Sequence, residues 1–196
     1  MVNTSEYWEQ RYREGTTRWD LGQAAPAFIS LLQSHSLPPG KAAVLGSGRG
    51  YDAIAFAQYG FDVIGFDFAP AAIAEATAIA QTNGCSAKFL KRNIFDLSNE
   101  FFQYFHYVIE HTCFCAINPQ QRQEYVKVVK EILQPRGELI AIFFTHSRPG
   151  GPPFGVSPEE IEQYFEADFE ILKLQPIANS VPARQGEEHF GYFRLI

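Results

Sequence analysis

Four apolar residues, Ala42-Ala43-Val44-Leu45, run directly into a loop with glycine at every second position, Gly46, Gly48 and Gly50. The apolar run has the length and bounds of a buried strand, and the alanine-rich stretch from Tyr51 opens a helix. Phe61-Asp62-Val63-Ile64-Gly65-Phe66-Asp67 then reads as a second buried strand, ending in a carboxylate. Strand, glycine loop, helix and acid-ended strand together make the nucleoside-binding half of a doubly wound sheet. The glycines let the backbone approach a ligand where a Cβ would clash. At the carboxyl end of its strand, Asp67 is placed to accept hydrogen bonds from both hydroxyls of a ribose.

The rest of the chain continues the alternation. Ser5 to Arg13 reads as a short amphipathic helix with Ser5 as its N-cap, and Pro26 to His35 as a second helix ended by Leu37-Pro38-Pro39-Gly40. Strands are expected at 42–45, 62–66, 87–91, 104–110 and 138–145, with helices at 51–59, 70–81 and 119–133 between them. Pro119 sits at a tolerated first-turn position. Ser157-Pro158-Glu159-Glu160 is a capping box for a helix running to Phe165, and two last strands, 169–174 and 189–195, complete the sheet. This pattern predicts an α/β fold with right-handed crossovers and a mostly parallel, seven-stranded sheet flanked by helices. With no repeat, low-complexity tract or linker in view, residues 1–196 read as one domain. Residues 1–36 form its helical N-terminal part and 41–196 its core.

Charge and cysteine usage narrow the function. A net charge of −6 argues against a surface for the phosphate backbone of a nucleic acid, and leaves room for a cationic ligand. The three cysteines, Cys85, Cys113 and Cys115, are odd in number and form no C-x-x-C pair, so neither a disulfide framework nor a metal site is expected. The Cys113-x-Cys115 pair reads as packing in the sheet. The N-terminal segment lacks an apolar signal core, and the longest strongly apolar run, Leu139 to Phe144, is far short of a membrane span. A cytoplasmic protein without membrane or nucleic-acid partners is expected.

Ligands of such sheets bind at the carboxyl ends of the strands. There the sequence places the glycine loop, Asp67-Phe68, Asn93-Ile94, Glu110-His111 and Thr145-His146. Asn93 and Ile94 can frame an adenine, or serve as a turn residue and a core aliphatic. His111 can act on a ligand or be a satisfied structural residue. Glu110 can pair with a helix N-terminus or be solvated. The G-x-G-x-G spacing, with Tyr51 where a dinucleotide fingerprint has its third glycine, disfavours an NAD-dependent oxidoreductase, and no Gly-Lys-Ser/Thr of a P-loop is present. It resembles instead the first motif of class I methyltransferases, which hold S-adenosylmethionine.

Further segments make the resemblance specific. They are Trp8-Glu9-Gln10-Arg11-Tyr12, Thr17-Arg18-Trp19-Asp20-Leu21-Gly22, Phe114-Cys115-Ala116-Ile117-Asn118-Pro119, Gly150-Gly151-Pro152-Pro153-Phe154 and Pro182-Ala183-Arg184-Gln185-Gly186-Glu187-Glu188. With the glycine loop they run from the first helix to the last strand. The chain resembles the thiopurine S-methyltransferase superfamily and, within it, the plant halide/thiol methyltransferases. The resemblance implies a Rossmann-like class I methyltransferase fold with an N-terminal helical lid. It implies that Trp8, Tyr12 and Trp19 come from that lid over S-adenosylmethionine, where aromatic faces attract a sulfonium and exclude water. It places Gly46, Gly48, Gly50, Asp67, Phe68, Asn93, Ile94 and His111 around the cofactor, and Phe114, Phe154 and Arg184 around the acceptor. Without it, Trp19 reads as a core anchor and Trp8 as part of an amphipathic face.

The chain departs from its relatives nearest the acceptor. Relatives often carry tryptophan at Tyr12 and cysteine at Ser47. Plant relatives carry tyrosine, and thiopurine enzymes arginine, at His111. The GGPP loop usually ends in tyrosine, where this chain has Phe154. The resemblance therefore implies a monomeric methyltransferase that uses S-adenosylmethionine, releases S-adenosylhomocysteine and acts on a small soft nucleophile, a thiol or hydrosulfide. A thiolate needs little acid–base help, so His111 is expected either to deprotonate a neutral thiol or only to position the cofactor. Halide, metalloid or thiopurine acceptors, and a non-catalytic binding module, are the alternatives.

Overall fold

The structure, a computed structural model, describes residues 4–196; the first three residues of the polar N-terminal segment lie outside it. Helices α1 (Ser5–Glu14) and α2 (Pro26–Gln33) come first. The first half of the sheet follows as β1 (Lys41–Leu45), α3 (Tyr51–Gln58), β2 (Asp62–Asp67), α4 (Pro70–Thr82) and β3 (Lys88–Lys91). The second half is α5 (Ser98–Phe101), β4 (Phe105–His111), α6 (Arg122–Ile132), β5 (Leu133–Phe144), α7 (Pro158–Phe165), β6 (Phe169–Pro176) and β7 (Glu188–Leu195).

The seven strands lie in the order β3-β2-β1-β4-β5-β7-β6. Neighbours from β3 to β5 pair in parallel, and β7 runs antiparallel between β5 and β6. The chain grows outward from β1 to β3 and then crosses to β4 on the other side of β1. The carboxyl ends of β1 and β4 therefore diverge into a crevice, the place where such sheets take ligands.

Strand alternation divides the core between the two faces of the sheet. On one face Tyr107, Ile109, Ile140 and Ile142 pack with Phe28 of α2 and Phe56 of α3. On the other, Val108, Leu139 and Phe143 pack with Tyr125 and Val129 of α6 and Phe165 of α7. Both faces are covered, which is why the central strands read as continuous apolar runs.

Several boundaries differ from the sequence reading for local reasons. The N-cap of α1 is Thr4, whose side chain accepts from the Tyr7 amide, so Ser5 is already helical. The expected helix from Pro119 begins as a separate 3-10 turn, Pro119–Gln121, capped by Asn118, and α6 starts at Arg122. Strand β4 extends through His111, and α5 was not foreseen. The capping box of α7 forms as read, with Ser157 and Glu160 bonding each other's backbone amides.

Candidate active site

The glycine loop carries its residues at φ values that disfavour a side chain, +60° at Gly46, +53° at Gly48 and +79° at Gly50. Their surroundings differ. Gly48 donates its amide to Asp67 Oδ2 at 3.0 Å and lies under the Tyr12 hydroxyl. Gly50 caps α3, and a Cβ there would run into the Phe89 ring and Ala76. Gly46 faces a cavity of about 720 Å³, within the usual range for small-molecule sites.

Beside the loop, Asp67 ends β2 almost fully buried. Its Oδ1 accepts from the Ala69 amide at 3.0 Å, closing the turn into α4. Burial pushes its carboxyl up, against the backbone donors of Ala69, Gly48 and Phe68 that pull it down. Helix α1 docks on this same turn: Ser5 Oγ donates to the Phe68 carbonyl, and Glu9 accepts from the Ala71 amide at 2.8 Å. Trp8, Tyr12 and Trp19 follow as an edge-to-face cluster, with Trp19 centroids 5.2 Å from Trp8 and 5.8 Å from Tyr12. Trp8, Tyr12, Trp19, Phe68, Asn93 and Ile94 all line the cavity with Gly46 and Asp67. Asn93 also caps the next turn through the Phe95 amide.

Another part of the lining is polar. His111, at the end of β4, presents Nδ1 to Asp52 Oδ2 at 2.8 Å, and Nε2 lies 3.0 Å from Arg184 and 3.9 Å from Glu188 Oε1. Arg184 also donates to Glu188 at 3.2 Å and to the carbonyl of Trp19. Burial disfavours a charged ring, but Asp52 and Glu188 outweigh it and Arg184 only partly offsets them, so His111 is pushed up to about 9. The 3.0 Å contact with Arg184 is a hydrogen bond only to a neutral ring. With two carboxylates facing one guanidinium, charge balance favours the imidazolium.

Thr112, Cys113, Cys115, Ala116 and Ile117, in the segment after β4, also line the cavity, with Cys113 against Gly46. Glu110, fully buried, accepts from the amides of Cys113 at 2.6 Å and Phe114 at 3.1 Å and so anchors this turn. Burial pushes the Glu110 carboxyl up to about 7 against those two donors. The cysteines lie in this turn rather than in the sheet, as free thiols that burial and the nearby Glu110 push up, Cys115 to about 12. They form a soft, uncharged wall, not nucleophiles.

Two expected acceptor residues lie elsewhere. Phe114 faces the core, 1% exposed and packed against Tyr125, Phe143 and Phe165. The turn that brings Cys113 and Cys115 to the cavity points the aromatic residue between them inward. In the GGPPF loop Pro152 and Pro153 line the cavity, while Phe154 lines a separate cleft of about 670 Å³ with His146 and Arg148. The Phe154 amide donates to the Cys115 carbonyl at 2.6 Å, tying the loop to the cavity wall by backbone alone. Gly48 and Gly50 shape the glycine loop from behind the cavity surface. Sequence reading missed Arg49, Asp52 and Glu188. Asp52, in the first turn of the helix after the glycine loop, was the one with a positional signal.

The residues fit a nucleoside cofactor. A buried carboxylate and a Cβ-free backbone share one wall with three aromatic rings, and the cavity is large enough for it. Among the described residues no cluster of three or more His, Cys, Asp or Glu side chains is placed to hold a metal ion. No helix among them is long and apolar enough to cross a membrane.

Comparisons with known proteins agree with this geometry. Residues 3–194 match the family model for thiopurine S-methyltransferase. Thiocyanate methyltransferase 1 of Arabidopsis thaliana is 32% identical over 96% of this chain and 84% of its own. Probable thiol methyltransferase 2 of the same plant is 34% identical over 98% and 86%. The structure superposes with a TM-score of 0.78 on Burkholderia thailandensis 1,6-didemethyltoxoflavin-N1-methyltransferase, solved with bound S-adenosylhomocysteine. That protein is 20% identical, with 97% of this chain and 86% of that one covered. The fold is that of the class I S-adenosylmethionine-dependent methyltransferases, and the chain belongs to the thiopurine S-methyltransferase family.

Proposed function

We propose that this methyltransferase transfers the methyl group of S-adenosylmethionine to the sulfur of a small thiol or hydrosulfide. The observation that supports the acceptor class is one stretch of the cavity lining: His111 and Arg184 with Cys113, Cys115, Ile117 and Pro153. A compact, charge-balanced corner in a soft apolar wall suits a small polarisable acceptor better than a large polar one. The cavity also carries Arg11, Arg18 and Arg92, against Glu14 and Asp67, although the chain as a whole is acidic. Such a local field favours the approach of anions. The plant relatives named for thiocyanate and thiol methylation support the same class.

In this reading Gly46, Asp67, Phe68, Asn93 and Ile94 hold the nucleoside, and Trp8, Tyr12 and Trp19 cover the sulfonium end. Bound S-adenosylmethionine supplies an electrophilic methyl group. The protein's own part is to bring the two reactants together and keep water out. His111 is engaged on both ring nitrogens, Nδ1 by Asp52 and Nε2 by the Arg184–Glu188 pair, so it orders this corner and is not free to act as the base that makes the thiolate. Free thiols at all three cysteines support a reducing, cytoplasmic setting.

The test is release of S-adenosylhomocysteine with S-adenosylmethionine and a panel of hydrosulfide, small thiols, thiophenol, a thiopurine, iodide and thiocyanate. Turnover is expected with hydrosulfide and small thiols above the other acceptors. Turnover confined to halides or thiopurines would replace the acceptor class. Cofactor binding without turnover on any acceptor would favour a binding module.

A further inference from the structure

The segment that carries Trp19 is gripped from two sides. Arg184 donates to the Trp19 carbonyl from the loop between β6 and β7. From the glycine loop, Arg49 spreads its guanidinium over three other parts of the chain. Its Nη1 donates to Thr17 Oγ1 at 2.9 Å and to Asp20 Oδ2. Its Nε donates to Glu75 of α4. The guanidinium carbon lies 5.4 Å from the Tyr12 ring centre.

We propose that Arg49 is a positioning residue: by holding Thr17 and Asp20 it keeps Trp19 on the cavity wall, so that the glycine loop and the aromatic lid act as one unit. The inference rests on the reading of this cavity as the S-adenosylmethionine site.

The geometry explains why an arginine is needed. The acceptors lie on the α1–α2 connection and on α4, and a planar fork reaches both, whereas a lysine ammonium on a flexible stem cannot hold the same set with fixed directions. Asp20 is fixed on both oxygens, since its Oδ1 accepts from the Gly22 amide at 2.7 Å. The side chains of Arg49 and Asp20 are only 21% and 13% exposed, so this is not a loose surface pair. Without Arg49, Asp20 would keep a poorly solvated charge with no cation beside it. Its way out is to turn toward water, which carries the adjacent Trp19 off Trp8 and Tyr12. Trp19 touches the cavity and Arg49 does not line it, so Arg49 acts through Trp19.

The experiment compares wild type, Arg49→Ala, Asp20→Asn and the double variant. The chain has two tryptophans, so a Trp8→Phe background reports Trp19 emission alone. Acrylamide quenching of that emission without ligand is expected to rise about twofold in Arg49→Ala, and in the same direction in Asp20→Asn. Calorimetric affinity for S-adenosylhomocysteine, with Trp8 intact, is expected to fall roughly tenfold in Arg49→Ala, as the loss of a charged hydrogen bond implies. The double variant should bind no worse than Arg49→Ala, because both changes break one contact. If Arg49→Ala fails to fold, Asp20→Asn, which keeps the Gly22 contact, decides by the same two readouts. Unchanged quenching and affinity in folded variants, or additive losses in the double variant, overturn the proposal. Failure of wild type to bind S-adenosylhomocysteine overturns the cofactor reading instead, and quenching then still judges the grip on Trp19.

Discussion

His111 is where residue chemistry meets function most directly. Its ring is held between Asp52 and the Arg184–Glu188 pair, so its protonation is a property of the whole cluster. Its folded value of about 9 exceeds an unfolded value of about 6.5. A raised histidine stabilises the fold fully below its unfolded value, and that contribution is lost as pH rises through its folded one. Thermal unfolding from pH 6 to 10 should therefore show wild type losing its advantage over His111→Gln between about pH 6.5 and 9. A gap between the two that stays constant across the range would show that the ring is not held charged. The same charge predicts that methyl transfer rises with acceptor ionisation and declines above about pH 9. That the strand ends at Gly46, Asp67 and His111 line one cavity was legible because topology alone opens a crevice there. Phe114 was not, because one 3-10 turn puts Cys113 and Cys115 on the cavity and Phe114 in the core, and no periodicity marks which residue turns which way. The pairing of Asp52 with His111 was not legible because the two lie 59 residues apart in sequence, although Asp52 stands in the first turn of the helix after the glycine loop.

Among the elements, the N-terminal helices are held by caps and turns as much as by aromatic packing. Glu9 of α1 serves as an N-terminal acceptor for α4 through the Ala71 amide, and Asp52 of α3 accepts from the Ala25 amide at the start of α2. Each contact ties an N-terminal helix to the helix that follows β1 or β2. The capping box of α7 is a useful contrast. It is exposed and locally complete, and its Ser157 and Glu160 line the separate cleft and not the cavity. Ser157→Ala should cost about 1 kcal/mol of stability in denaturant unfolding and leave S-adenosylhomocysteine affinity at the wild-type value. A matching loss of affinity would mean that α7 helps to hold the cavity. That box was readable from four consecutive residues. The 3-10 turn at Pro119 was not, since proline suits the first turn of either helix, and only the Asn118 side chain bonded to the Gln120 amide marks the break before α6.

Across the whole molecule, one crevice collects residues from both ends of the chain. The divergence of β1 and β4 opens it, α1 and the Trp19 segment cover it, and Arg184 joins it from the loop before β7. The alternation of strands and helices made the parallel part of the sheet legible. The reversed direction of β7 was not, because the long connection from β6 lacks the short turn that would signal a hairpin. The convergence of the arginines on the cavity of an acidic protein was likewise invisible to composition, which sums charge without placing it. The central claim is that this crevice holds S-adenosylmethionine through Asp67 and the glycine loop. Calorimetric titration of wild type and Asp67→Ala with S-adenosylhomocysteine, and separately with NAD, tests it most directly. One site per chain is expected for S-adenosylhomocysteine, with binding at least tenfold weaker in the variant with the fold intact, and no heat from NAD. Equal affinity in the two proteins, or tighter binding of NAD, would contradict it.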